Sequence, residues 1–314
     1  MKHLFTISLL FIGIFHSIAQ TDTTAVPFVS YWSVGDSYDF KITKIKQQWK
    51  GEEQTKNDTT SYDANFLVLD STATSYKIKW SYNNELIENY NLPEEFTDSF
   101  SKYNHMDVIY TTSELGEFVE IENWEEISKM MTSLFDELID ILSKNGEVEK
   151  EEFTKIMQPM ITMYQSKEGI ELMAYKELQL FHFPFGVEFT VGDTIQYEDM
   201  LPNMLGGPAI KAPTKLYLDE VDFDDSYCSL IQEMTLDPKD TQKMIISFFK
   251  KMGVKDKEMK KMLKESEINV SDYNTYNYYF YPGVPVYIEA IRSTLMTIDS
   301  KKAVRVDITQ IELL

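Results

Sequence analysis

Few side chains in this sequence are of the kinds that do chemistry. There is one cysteine, Cys228, and four histidines, of which His3 and His16 lie in an N-terminal segment that reads as a removable leader. His105 follows Lys102-Tyr103-Asn104 and reads as a capping or surface residue. His182 stands in Leu180-Phe181-His182-Phe183-Pro184, where its neighbours predict a packed or edge position on a strand. Neither histidine has an H-x-x-x-H or H-E-x-x-H spacing, so no metal site is expected. A lone cysteine excludes an internal disulfide and a cysteine-clustered zinc site. Cys228, within Tyr227-Cys228-Ser229-Leu230, reads as a small buried hydrophobe rather than a nucleophile. The G-x-S-x-G elbow, the P-loop and the G-x-G-x-x-G turn are all missing.

Carboxylates are abundant, 51 against 30 basic residues, so counting alone leaves a two-carboxylate glycosidase open. No pair is marked out by spacing. The densest run, Asp219-Glu220-Val221-Asp222-Phe223-Asp224-Asp225, lacks the glycine and the distal glutamate of an EF-hand loop. It reads as a solvated hairpin tip in preference to a calcium site. The expectation is therefore a protein with no catalytic residue, no metal and no cofactor. A net charge of -21, with Arg292 and Arg305 the only arginines, argues against a nucleic-acid partner.

Binding chemistry is better supplied. Thirteen of the 16 methionines fall between Met130 and Met262, and methionine adapts to varied apolar ligands. The stretch Met200-Leu201-Pro202-Asn203-Met204-Leu205-Gly206-Gly207-Pro208 is apolar where the corresponding earlier loop, 50–61, is polar. Met244, Ile245, Phe248, Phe249 and Met252 recur on one face of a lysine-rich segment. Leu201, Met204, Leu205, Phe248 and Met252 are the expected ligand-lining residues. The rival reading packs the loop onto an ordinary core. Tyr273, Tyr276, Tyr278, Tyr279, Phe280, Tyr281 and Tyr287 crowd one hairpin, where aromatics stack on sugars or simply suit strands.

The elements that must position these residues begin after a leader. Lys2 and His3, the apolar run Leu4 to Phe15 and Ser17-Ile18-Ala19 have the three parts of a secretory signal over residues 1–19. That run is too short to span a bilayer, and no later segment is long enough, so no transmembrane segment is expected. Export to the periplasm, the cell surface or the medium follows.

An internal echo then organises the chain. Trp32-Ser33-Val34-Gly35-Asp36-Ser37-Tyr38-Asp39-Phe40 reappears as Phe189-Thr190-Val191-Gly192-Asp193-Thr194-Ile195-Gln196-Tyr197. Phe66–Asp70 with Lys77–Trp80 has a counterpart in Leu216–Asp219 with Ser229–Ile231. Pro93 and Pro238 each open a helix, and the hairpin about Leu115-Gly116 matches the one about Pro282-Gly283. The predicted organisation is a first β-rich repeat over 20–122, a helical insert over 123–178 and a second repeat over 179–314. Trp124, Ile127, Met131, Leu134, Phe135, Leu138 and Ile141 mark the first inserted helix, and a second runs from about Val148 to Tyr164, disturbed by Pro159. Gln179–Phe183 is expected to be a strand. The fold class is α+β: two duplicated antiparallel β units, a curved sheet or half-barrel, with helices packed on one face.

Charge is segregated. Residues 114–153 carry 13 acids and three lysines, and residues 239–264 nine lysines and three acids. The basic segment reads as a surface helix facing the acidic one, ahead of a peripheral membrane contact.

The scarcity of arginine and a leader ending Ala19-Gln20 resemble exported proteins of Bacteroidota. The leader, the strand–helix–strand order, the repeated β units and the turn Tyr281-Pro282-Gly283-Val284-Pro285-Val286 resemble, loosely, the lipoprotein-carrier and lipid-binding periplasmic half-barrels. That resemblance implies a fold and no particular residues. Two functions stay open: an exported non-catalytic protein holding an apolar or amphiphilic ligand, and a cell-envelope module that meets another protein or a glycan.

Overall fold

The computed structural model describes residues 25–83, 100–144, 149–171, 176–201, 208–251, 266–298 and 301–314. The leader 1–19, the Pro93 helix start and the loop 202–207 lie outside them. The chain opens with β1 (Ala25–Pro27), β2 (Ser37–Lys50), β3 (Glu53–Ser71), β4 (Ser75–Asn83), β5 (His105–Ser113) and β6 (Phe118–Ile121). Helices α1 (Trp124–Lys144), α2 (Lys150–Tyr164) and α3 (Lys176–His182) follow. The second run comprises β7 (Glu188–Thr190), β8 (Thr194–Leu201), β9 (Ile210–Asp222), β10 (Tyr227–Thr235), α4 (Pro238–Lys251), β11 (Ser266–Tyr279), β12 (Val284–Ile298) and β13 (Lys301–Leu313). β1 pairs with β7, and the other strands form one open antiparallel sheet in the order β6-β5-β4-β3-β2-β13-β12-β11-β10-β9-β8. The protein is mostly β, and the two runs join where β13 pairs with β2.

Gly35 and Gly192 explain how β2 and β8 begin. Both hold a positive φ, +94° and +85°, which a side chain resists. In both turns the following aspartate donates its backbone N–H three residues back, Asp36 to Ser33 at 3.0 Å and Asp193 to Thr190 at 3.2 Å. The pairings that follow run in parallel. Ser37 stands opposite Leu67, and Thr194 opposite Tyr217. Val68 faces Ile78 and Asp70 faces Lys77, so Leu69 bulges; Leu218 faces Leu230 and Glu220 faces Ser229, so Asp219 bulges. Ile78 faces Tyr110 as Leu230 faces Tyr276. A second bulge falls at Val119, between the Tyr110–Ile121 and Thr112–Phe118 pairs. Its counterpart falls at Val286, between Tyr276–Ile288 and Tyr278–Pro285.

Residues Gln179–Phe183, expected as a strand, belong mainly to α3. Glu177, Leu178, Leu180, Phe181 and His182 of this helix are all buried, and only Lys176 and Gln179 are exposed. So short a helix, with so narrow an exposed face, shows little of the one-sided period that identifies a surface helix. Helix α2 runs through Pro159 without a break.

The position of α3 shows how strongly the sheet curves. The Phe181 ring stacks on Phe66 at 5.2 Å and meets Phe40 and Trp80 edge-on at 5.5 and 5.9 Å. The Tyr278 hydroxyl of β11 donates to the Phe181 carbonyl. The next residue, His182, meets Tyr110 of β5 at 2.9 Å. Strands β5 and β11 are six spacings apart in the sheet, about 29 Å if it were flat. Two adjacent residues reach both, so the sheet curls around α3 and has a concave inner face.

Candidate functional site

Strands alternate their faces with a period of two, so a strand's inner side stays inner along its length. On the innermost row this face is apolar and buried: Ile42 on β2, Ile311 on β13, Ile288 on β12 and Tyr276 on β11. Further along the same strands the same face becomes polar. Lys44, Lys46 and Gln48 follow on β2, Thr309, Asp307 and Arg305 on β13, Arg292 and Thr294 on β12, and Asn274 and Asp272 on β11. The outer face changes the other way, from Lys41 and Thr43 to Ile45 and Trp49, and from Glu312 and Gln310 to Ile308, Val306 and Val304. The sheet thus exchanges its polar and apolar sides partway along its length.

The inner charges form an ordered band. Asp272, Arg292, Asp307, Lys46 and Asp58 stand directly opposite one another on five successive strands, alternating in sign. Arg292 grips Asp272 with two parallel bonds, Nε to Oδ1 at 2.7 Å and Nη2 to Oδ2 at 2.6 Å. Asp272 is only 8% exposed, and its carboxylate raises the Arg292 pKa. Arg305 holds Asp307 in the same way at 2.7 and 2.9 Å. From α3, Glu177 reaches Lys44 at 2.5 Å. Burial, then the Glu177 charge, raise the pKa of Tyr62 beside them well above its ordinary value.

Lys176, at the start of α3, pairs with no carboxylate among the described residues. It is exposed to solvent, yet desolvation first and Arg292 second hold its ammonium below the usual lysine range.

Apolar groups bound the band on both sides. On one side lies the aromatic core around Phe181. On the other, Ile210, Leu236 and Val270 form a second buried cluster, packed by Leu201, Met244 and Ile268. Helix α4 brings Met244 there, and its start is set by Asp237, whose Oδ1 accepts from the backbone N–H groups of Lys239 and Asp240 at 2.9 and 3.0 Å.

Of the five expected ligand-lining residues, Leu201 therefore joins the second cluster, at the end of β8. Phe248 falls on α4. Met204, Leu205 and Met252 lie outside the described residues. The charged band was not among the expected sites, although both arginines of the chain fall within it. The alternation Val304-Arg305-Val306-Asp307-Ile308 identified a strand but not which side of it faced inward.

The other singled-out residues are structural. The His182 Nδ1–H donates to the Gly116 carbonyl at 2.7 Å and Nε2 accepts from the Tyr110 hydroxyl at 2.9 Å. Burial lowers its pKa to about 4, so it is neutral at pH 7. Burial pushes the Cys228 thiol up to about 12, which leaves it protonated and unreactive. In the acidic run, Asp222 accepts from the backbone N–H groups of Asp224 and Asp225 at 2.9 and 3.0 Å, closing the β9–β10 hairpin. The acidic helix pairs with Lys102 and Lys150, through Glu137 and Asp140, and Lys243 of α4 pairs with its own Asp240. Among the described residues no ion pair joins the two helices, and residues 252–264 of the basic segment lie outside them. Among those residues no helix is long and apolar enough to cross a membrane, which says nothing of strands.

No family model and no curated protein matches this chain. Among solved structures, one of lipid–protein interactions in lipovitellin resembles it loosely, with 10% identity and a TM-score of 0.43 over 90% of this chain. The match covers 25% of the lipovitellin chain, so this protein spans about a quarter of its length. An outer membrane channel from Pseudomonas putida F1 matches at 6% identity and a TM-score of 0.14, over 91% of this chain and 98% of that one.

Proposed function

We propose that this protein is exported, non-catalytic, and binds an amphiphilic ligand on the concave face of its sheet. The observation that carries this reading is the order of surfaces on that face: aromatic core, charged band open to solvent, second apolar cluster. A purely structural sheet favours an apolar inner face throughout, because a buried charge is costly even when paired. A ligand with a polar head and an apolar body suits the observed order. The leader at residues 1–19 supports export, and of the expected apolar lining Leu201 packs with Met244 against the second cluster. The matching registers and bulges of β2–β6 and β8–β12 support descent of both runs from one β unit, with β13 added at the join.

The test is native mass spectrometry of the mature protein from its own host, together with uptake of a fluorescent fatty acid. A co-purifying amphiphile, and weaker uptake by Leu201→Asp with the fold intact, are expected. No ligand from the host and no uptake by the wild-type protein would remove the reading.

One observation favours the envelope-interaction alternative. Tyr31 and Tyr281, 48% and 64% exposed, hold their rings 5.3 Å apart at one end of the sheet. The backbone fixes them there, with the Tyr31 N–H bonded to the Pro282 carbonyl at 3.0 Å. Rigid exposed tyrosines suit protein or glycan contacts. If Tyr31→Ala with Tyr281→Ala abolishes retention on envelope material while fatty-acid uptake is absent, this alternative replaces the first.

A further inference from the structure

We propose that the charged band receives an anionic headgroup, a carboxylate or a phosphate, through Lys46, Lys176 and the two arginines; this rests on the amphiphile-binding reading above. In a chain of net charge -21, both arginines lie on this one inner surface. They occupy adjacent strands, Arg292 opposite Asp307 and Arg305 opposite Thr294. The band holds six cations, Lys44, Lys46, Lys56, Lys176, Arg292 and Arg305, against four anions, Asp58, Glu177, Asp272 and Asp307. Four of the cations are paired, Lys44 with Glu177, Lys56 with Asp58, Arg292 with Asp272 and Arg305 with Asp307. Lys46 faces Asp307 and Asp58 in register but is ion-paired to neither, and Lys176 has no carboxylate partner among the described residues.

An alternating ladder of charges across strands is a stabilising device in its own right. It accounts for the row from Asp272 to Asp58. It does not account for Lys176, which α3 adds beside Arg292, Asp272, Glu177 and Asp307 without an ion pair to any carboxylate among the described residues. It also leaves unexplained why charge sits on the inner face while Ile45, Ile291 and Ile308 take the outer one. Departures from the expected pattern of burial gather at functional sites. An anion held there would give Lys176 and Lys46 the direct ion pairs that neither makes among the described residues. The next inner residue after Asp272 on β11 is Val270, which belongs to the second apolar cluster. An apolar chain attached to the anion would therefore lie toward the cluster of Ile210, Leu236 and Met244.

The test compares hexadecanoate, hexadecanol and inorganic phosphate as probes on the mature wild-type protein, on Lys46→Gln with Lys176→Gln, and on Lys46→Arg with Lys176→Arg. The wild type should bind hexadecanoate about tenfold more tightly than hexadecanol, the scale of two partly exposed charge contacts. The glutamine variant should lose that preference with hexadecanol affinity unchanged, and the arginine variant should keep it. Equal binding of both amphiphiles by the wild type, or a preference that survives in the glutamine variant, would overturn the inference and leave amphiphile binding standing. Phosphate binding without any hexadecanoate preference would assign the band to a soluble anion and overturn it too. Binding of none of the probes would remove both proposals together. Both lysines are exposed, and thermal melting of each variant checks that folding is retained.

Discussion

His182 provides a direct test of how the sheet is held around α3. Its ring is buried, its Nδ1–H is committed to Gly116 and its Nε2 to the Tyr110 hydroxyl, so a second proton would break the Tyr110 bond and bury a charge. Burial brings its pKa from 6.5 to about 4. Unfolding returns the ring to water, so the unfolded chain binds more protons between those values and stability must rise with pH across the window. The contribution is fully present above about pH 6.5 and is lost as pH falls through about 4. Between pH 7 and pH 5 the loss comes to about 2 kcal/mol. Urea unfolding of wild type and His182→Gln at a series of pH values measures it. A glutamine amide can donate to Gly116 and accept from Tyr110 but does not titrate, and the many carboxylates contribute equally to both proteins. The wild-type curve should fall away from the variant's by about 2 kcal/mol at pH 5. Parallel curves would refute the burial and the hydrogen-bond assignment together.

Three further outcomes follow from the same contacts. Cys228 should react with a thiol reagent only at the rate of unfolding, and rapid labelling of the native protein would contradict its burial. Asp272→Asn should leave Arg292 beside Lys176 without its carboxylate partner and cost about 2 kcal/mol, partly restored by salt; an unchanged urea midpoint would count against this pairing. Gly116→Ala should be far more damaging than Gly35→Ala. Both positions have a positive φ, but an added Cβ at 116 meets the Phe185 ring at 2.6 Å whereas nothing lies within 4 Å at 35, so equal melting temperatures would be the adverse result.

Much of the architecture was legible because turns and alternation are local. Gly35-Asp36, Gly192-Asp193 and Pro282-Gly283 mark turns in any context, and the strands between them keep a two-residue period. Helix α1 carries its period on one face and was readable for the same reason. Helix α3 was misread because Leu178, Leu180, Phe181 and His182 are all buried, and a short apolar run has no period to distinguish helix from strand. The charged band was hidden for a different reason. Alternation gives two faces but does not say which faces inward. Lys44, Lys46, Arg292 and Arg305 look like solvent residues until the registers place them on the side that also carries Phe40, Ile42 and Ile288.

The exchange of faces also separates the buried anchoring residues from the charged band along single strands. Ile42, Ile288, Tyr276 and Ile311 anchor β2, β12, β11 and β13 to the aromatic core through fully buried side chains. Two to four residues further on, the same strands carry Lys44, Arg292 and Asp307, whose pairing contributes little net stability where solvent reaches them, and the buried Asp272. The core end must be apolar for the sheet to curl around Phe181, whereas the charged end is held in place by strands whose pairing continues past it. Strand pairing that continues past the charges thus fixes where they stand on the inner face.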